Sequence, residues 1–219
     1  MKPLSRILSW LITFLVPIAL LFIGLRLMLT PVFLQIEYHL PGFPVDNYGF
    51  TTADRLHWSR LAVEYLINDA DINFLGDLTF LDGVPLYNER ELSHMLDVKN
   101  VVKPALGVGY AVLAVLLGLT AWARFGGWWN QYLRGLKRGG WLMVGVVAVF
   151  GIFGSISFWQ FFSFFHKLFF QGDSWIFEYS DTLIRLFPLM FWEFAFLLAG
   201  IIAVGGGLAL GLALKPKAD

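Results

Sequence analysis

An all-α membrane protein is what this 219-residue chain predicts: four transmembrane helices, with an extracytoplasmic, membrane-surface helical domain between helices 1 and 2. Three observations carry that expectation. Hydrophobic residues make up 58% of the chain and mean hydropathy is +0.67, too apolar for a soluble domain of this length. Four apolar runs, Ile7 to Leu29, Ala105 to Ala123, Trp141 to Phe165 and Phe187 to Leu214, each reach the ~20 residues needed to cross ~30 Å of hydrocarbon. The charges are also segregated. Lys2, Arg6, Arg124, Arg134, Lys137, Arg138, Lys215 and Lys217 flank three of the non-spanning segments, whose one acid is Asp219. Loops 30–104 and 166–186 hold fourteen acids against seven bases. The basic segments should be cytoplasmic, which leaves both termini inside and the two acidic loops outside.

The elements follow in order. Residues 1–29 are a cytoplasmic N-terminus and the first span, read as a retained anchor because the apolar run is too long for a signal peptide and no small-x-small site precedes Pro31. Residues 30–104 form the extracytoplasmic domain. Pro31, Pro41, Gly42 and Pro44 predict an irregular start. Thr51, Thr52 and Asp54 then open a helix whose apolar positions include Leu56, Leu61, Tyr65 and Leu66, expected to lie in the interface with Trp58 at headgroup depth. The stretch Asp69 to Tyr87 yields no assignment. From Asn88, NERELSHMLDVKNVV predicts a helix leading toward the second span at 105–123, with Pro104 near the junction. A cytoplasmic loop (124–140), the third span (141–165), an extracytoplasmic loop (166–186), the fourth span (187–214) and a cytoplasmic tail (215–219) complete the chain. Gly207 and Gly211 give a GxxxG spacing suited to close helix packing. No internal repeat is visible.

The candidate chemistry lies in two histidine segments. On a helix Glu91, His94 and Asp97 recur every three residues, which places an imidazole between two carboxylates on one stripe. A solvated face would look the same. His166, in FWQFFSFFHKLFFQGDSW, is bracketed by phenylalanines at the end of a span, where a polar group is costly without partners. Asp173 and Trp175 follow and either close a site or cap a turn at Gly172. His39 and His57 lack acids at helical spacing and are read as surface residues. Glu193 is expensive in lipid and is expected to face a polar interior, in a site or paired with Arg26 or Arg185. With zero cysteines, a disulfide, a cysteine acyl-enzyme and a thiolate metal site are excluded. The sparse inner basic residues give no support to nucleic-acid binding.

The strings RELSHMLDVK and FFSFFHKLFFQGDSW, their order, and a four-span layout with a large first outer loop resemble the lipoprotein intramolecular transacylase family, Lit; YGFTT and DTLIRLFP are weaker points of likeness. The resemblance implies that His94 and His166 are the essential pair at the outer membrane face. It further implies transfer of an acyl chain from the diacylglyceryl group of a bacterial lipoprotein to the α-amino group of its own N-terminal cysteine, at the cell membrane and beside membrane lipid. Glu91, Asp97, Asp173 and Arg185 are the expected supporting residues, and no cofactor or metal is called for. His166, with its aromatic neighbours, is assigned as base toward the amine. His94, kept protonated by acids such as Asp97, is assigned as electrophile and proton donor, although the roles could be exchanged. Two readings from other classes compete: a zinc-dependent membrane lipid hydrolase using the two histidines with Glu91, Asp97 and Asp173, and a non-enzymatic accessory or sensor protein.

Overall fold

A computed structural model describes residues 2–170, 172 and 174–217, with backbone alone at Lys2. The described elements, in chain order, are α1 (Lys2–Met28), α2 (Pro31–Tyr38), α3 (Thr52–Ile67), α4 (Asn73–Gly76), α5 (Glu89–Phe125), α6 (Trp129–Ile156), α7 (Phe158–Phe169), α8 (Thr182–Leu186) and α9 (Leu189–Ala213). Among the described residues there is no β-strand, and the one isolated bridge pairs Thr79 with Pro85. Four helices are long and apolar enough to cross a membrane: Pro3–Met28, Glu89–Phe125, Trp129–Ile156 and Leu189–Ala213.

These helices differ from the expected spans in two instructive ways. α5 is a single helix of 37 residues with Pro104 inside it, about 55 Å long. That far exceeds what a bilayer requires. Its first part carries Glu89, Arg90, Glu91, Asp97, Lys99 and Lys103, and its apolar run begins at Ala105. The expected third span, 141–165, is divided. α6 ends at Ile156, Ser157 is extended (φ −157°, ψ 103°), and a separate helix α7 carries His166. The cause is local composition: Gly151, Gly154, Ser155 and Ser157 are poor helix formers in the last turns of α6.

The chain forms two compact units. The first comprises residues up to Arg26, Ala105–Ser157 and the chain from Leu197. Its core gathers Ile12, Val16, Leu119, Ala123, Trp128 and Tyr132. Glycines set how closely its helices approach. A Cβ at Gly140 would stand 2.4 Å from the Gly207 carbonyl oxygen, and one at Gly211 would stand 2.9 Å from Trp141. The GxxxG residues therefore serve close packing.

The second unit comprises Leu27–Pro104 and Phe158–Phe196. Here the irregular start expected at Pro31 proves to be a helix. Thr30 caps α2 by accepting the Phe33 N–H at 3.3 Å, and Pro31 occupies the first helical position, where a missing N–H costs nothing. α3 begins on the capping box foreseen at Thr51 and Asp54, whose two bonds are 3.2 and 2.8 Å. Trp58 packs on Phe80 of the hairpin that closes at Thr79 and Pro85, so the stretch with no assignment becomes α4 and a turn beneath α3.

Candidate active site

Two helices of the second unit bring the imidazoles together. His94 lies in the second turn of α5, and His166 lies in α7. α7 is short and amphipathic. It buries Phe162 and His166 on one side and exposes Phe164 and Leu168 on the other. The two histidines are each 8% exposed, and their ring centroids are 6.1 Å apart with an interplanar angle of 22°. Phe170 and Phe177 meet the His94 ring edge-on at 5.0 and 5.4 Å. Phe162 and Trp175 cover the His166 ring at 4.0 and 4.8 Å.

Hydrogen bonding distinguishes the two rings. His166 Nδ1 is 2.9 Å from the Phe162 carbonyl oxygen; a carbonyl only accepts, so Nδ1 carries the hydrogen and Nε2 is left with a lone pair. His94 Nδ1 is buried without a partner among the described residues. Desolvation by burial, with the neighbouring His166 adding to it, pushes His94 down to about 4. Burial likewise lowers His166, against the opposing effect of its carbonyl partner. Both imidazoles are therefore neutral near pH 7.

The supporting residues form a separate, well-bonded cluster. Asn88 and Glu91 make a reciprocal cap at the start of α5, through Asn88 N–H to Glu91 Oε2 at 2.8 Å and Glu91 N–H to Asn88 Oδ1 at 3.0 Å. Glu91 Oε1 then accepts the Leu183 N–H at 2.6 Å, at the start of α8. Thr182 adds a 2.5 Å bond to the Leu86 carbonyl oxygen, and Asn88 Nδ2 reaches Asp181 at 3.0 Å. Glu91 is thus a strut between two helix starts, and it makes no hydrogen bond to His94. Arg185 forms an ion pair with Asp46 at 3.0 Å, lies 3.6 Å over the Phe50 ring and donates to the Tyr48 carbonyl oxygen. The strings YGFTT and DTLIRLFP meet at this point. Arg55 reinforces the junction with bonds to the carbonyl oxygens of Arg185 (3.0 Å) and Pro44 (2.6 Å). Arg90 donates to the Ile176 carbonyl oxygen at 3.1 Å; this tethers the segment whose side chains Trp175 and Phe177 cover the histidines.

Other expected residues fall elsewhere. Asp97 is half-buried, and no hydrogen bond or ion pair joins it to His94 among the described residues. The reading of a cationic His94 sustained by Asp97 gives way to a neutral one: three residues along a helix put Asp97 beside His94 in projection, but the imidazole points into a phenylalanine cage. Asp173 lies outside the described residues. Glu193 is on the exposed side of α9, and Arg185, one of its two expected partners, is paired with Asp46. His39 and His57 are exposed, and His39 Nδ1 is 2.7 Å from the Gln35 carbonyl oxygen. Among the described residues no three His, Asp or Glu side chains are grouped to hold a metal ion. Sequence reasoning missed Phe177, Arg90, Asp46 and Arg55. Only Arg90, adjacent in sequence to Glu91, offered any signal.

Comparison with known proteins agrees with this architecture. A curated protein of Aquifex aeolicus (strain VF5), itself described only as uncharacterized, is 25% identical over 202 residues, covering 91% of this chain and 89% of that one. The membrane integral lipoprotein intramolecular transacylase Lit from Bacillus cereus, solved in meso, has the same fold, with a TM-score of 0.67 at 18% identity, covering 96% of this chain and 94% of that one. A histidine-to-arginine variant of the same protein gives 0.69 at 18% identity, covering 95% and 89%. Residues 8–192 match the family model described as lipoprotein intramolecular transacylase Lit; the chain is a member of the Lit family of membrane acyltransferases.

Proposed function

We propose that this protein moves an acyl chain from the diacylglyceryl group of a bacterial lipoprotein to the α-amino group of that lipoprotein's own N-terminal cysteine. The observation that carries the reading is the buried, neutral pair of His94 and His166. The lone pair on His166 Nε2, fixed by the bond from Nδ1 to the Phe162 carbonyl oxygen, is what a base toward an amine requires.

The chemistry follows from these groups. An α-amino group has a pKa of ~7.7 to 8.0, so a useful fraction is neutral near pH 7.5. Its nitrogen bonds to the ester carbon while the carbonyl π pair moves onto oxygen and His166 Nε2 takes the amine proton. When the tetrahedral intermediate collapses, the oxygen pair re-forms the carbonyl and the carbon to glycerol-oxygen bond breaks. The proton on His166 then passes to the glycerol oxygen. One imidazole serves as base and then as acid, so a permanently charged partner is unnecessary. His94, at 6.1 Å between ring centroids, holds the migrating group against His166. Amine and ester belong to one molecule, so orientation can contribute on the order of 7–11 kcal/mol without a covalent enzyme intermediate.

The distribution of charge supports an arrangement with both termini in the cytoplasm and the histidines at the extracytoplasmic face, where a processed lipoprotein presents its amine. Membrane lipid surrounds the spans and the substrate is the lipoprotein; nucleic acid has no role. The test is tandem mass spectrometry of a synthetic diacylglyceryl lipopeptide incubated with the purified protein. Intramolecular transfer leaves the mass unchanged and relocates one acyl chain to the amine. Loss of one acyl chain would mean hydrolysis, and an unaltered lipopeptide would remove the enzymatic reading; either overturns the proposal.

A further inference from the structure

At the two histidines, two polar atoms are buried with no hydrogen-bond partner among the described residues: His94 Nδ1 and Trp175 Nε1. A buried donor left unmade costs ~1–3 kcal/mol, and a buried indole N–H ordinarily finds an acceptor. Trp175 is 6% exposed, its ring lies 4.8 Å from that of His166, and it also contacts Phe162 and Trp159. Ordinary packing does not explain why an indole, rather than another phenylalanine, stands in this otherwise phenylalanine-rich cage.

The step proposed above supplies a reason. Negative charge builds on the carbonyl oxygen as the amine attacks, and it needs a donor placed in advance. His166 is engaged as base, and the His94 ring is enclosed by Phe170, Phe177 and His166 itself. Lys167, the cation next to His166 in sequence, is on the exposed side of α7. Arg90 is committed to the Ile176 carbonyl oxygen, one residue past the indole. We infer that the Trp175 indole N–H is the oxyanion donor of this site, with the Arg90 tether to Ile176 holding the indole over His166. An indole suits an apolar cage because it donates one hydrogen bond, carries no charge to desolvate and cannot itself take the amine proton.

The inference rests on the transacylase reading, and its test separates the two. Trp175→Phe keeps the ring and removes the N–H. Loss of one such donor typically lowers kcat by ~10²-fold, with KM within about twofold of wild type and the thermal transition unchanged. A substrate whose scissile ester is a thionoester, with sulfur replacing the carbonyl oxygen, gives a second readout independent of how much protein folds. The oxygen-to-sulfur rate ratio should be large for wild type and fall toward that of the uncatalysed reaction in Trp175→Phe. Wild-type kcat in Trp175→Phe, or an unchanged ratio, overturns the inference while the histidine reading stands if His166→Asn is inactive. Activity in both Trp175→Phe and His166→Asn would instead overturn the reading beneath it.

Discussion

The second unit holds two buried polar regions, and they are built on opposite principles. Around Asp46, Arg55, Glu91 and Arg185, charged groups meet carbonyls, N–H groups or one another, at 2.6 to 3.3 Å. Around His94 and His166 the neighbours are aromatic, and one nitrogen of His94 and the Trp175 N–H have no partner among the described residues. A buried polar group with every bond made contributes to a single rigid structure. One with bonds missing weakens the fold and is retained where a substrate will complete it. The first region should therefore govern stability and the second should govern chemistry.

Breaking the bonded region tests half of that contrast. Arg185→Ala would strand Asp46, whose side chain is 3% exposed. Removing one partner of a buried pair costs about 3–5 kcal/mol, so a large fall in thermal transition is expected, with near-normal turnover per folded molecule. Glu91→Ala removes the cap of α5 and the acceptor for Leu183 N–H, for about 2–3 kcal/mol in chemical unfolding, again with turnover retained. Glu37 is intermediate between the two regions: it is 2% exposed, its Oε1 has no partner, and burial raises its carboxyl to about 7. A raised acid pKa favours the folded state below the unfolded value of ~4.5 and loses that advantage as pH rises through 7. Glu37→Gln should thus match wild type near pH 4.5 and exceed it at pH 8, by on the order of 2 kcal/mol. Asp97→Asn is the smallest case, within about 0.5 kcal/mol in stability, with no change in rate or pH profile. A lowered rate there would restore a carboxylate-supported His94.

What the sequence displayed was set by periodicity and composition. Apolar length announced α1, α9 and the later part of α5, and the Thr51 to Asp54 box announced α3, because those signals act within a few residues. His94 and His166 were conspicuous because an imidazole amid apolar residues needs a reason to be there. The break at Ser157 was hidden because it interrupts an apolar run without changing its hydropathy. Pro31 misled because proline is read as a breaker, yet it also starts helices. The partners of Glu91 and Arg185 lie 92 and 139 residues away, beyond any local pattern. The protonation state of His94 was misread for the same reason: spacing placed Asp97 beside it, but the surroundings that decide its charge, Phe170, Phe177 and His166, come from a different part of the chain.

The most direct test of the neutral histidine pair is a rate cycle on the purified protein: wild type, His94→Asn, His166→Asn and the double variant, each scored by acyl position in the lipopeptide and by thermal unfolding. A base and the group that holds the substrate against it act as a unit and fail as one. Each single variant should lose about 10³-fold or more in rate, the double should be hardly worse than either, and all four should unfold within a few degrees of one another. Losses that multiply in the double variant, or a single variant that keeps wild-type rate, would contradict the account.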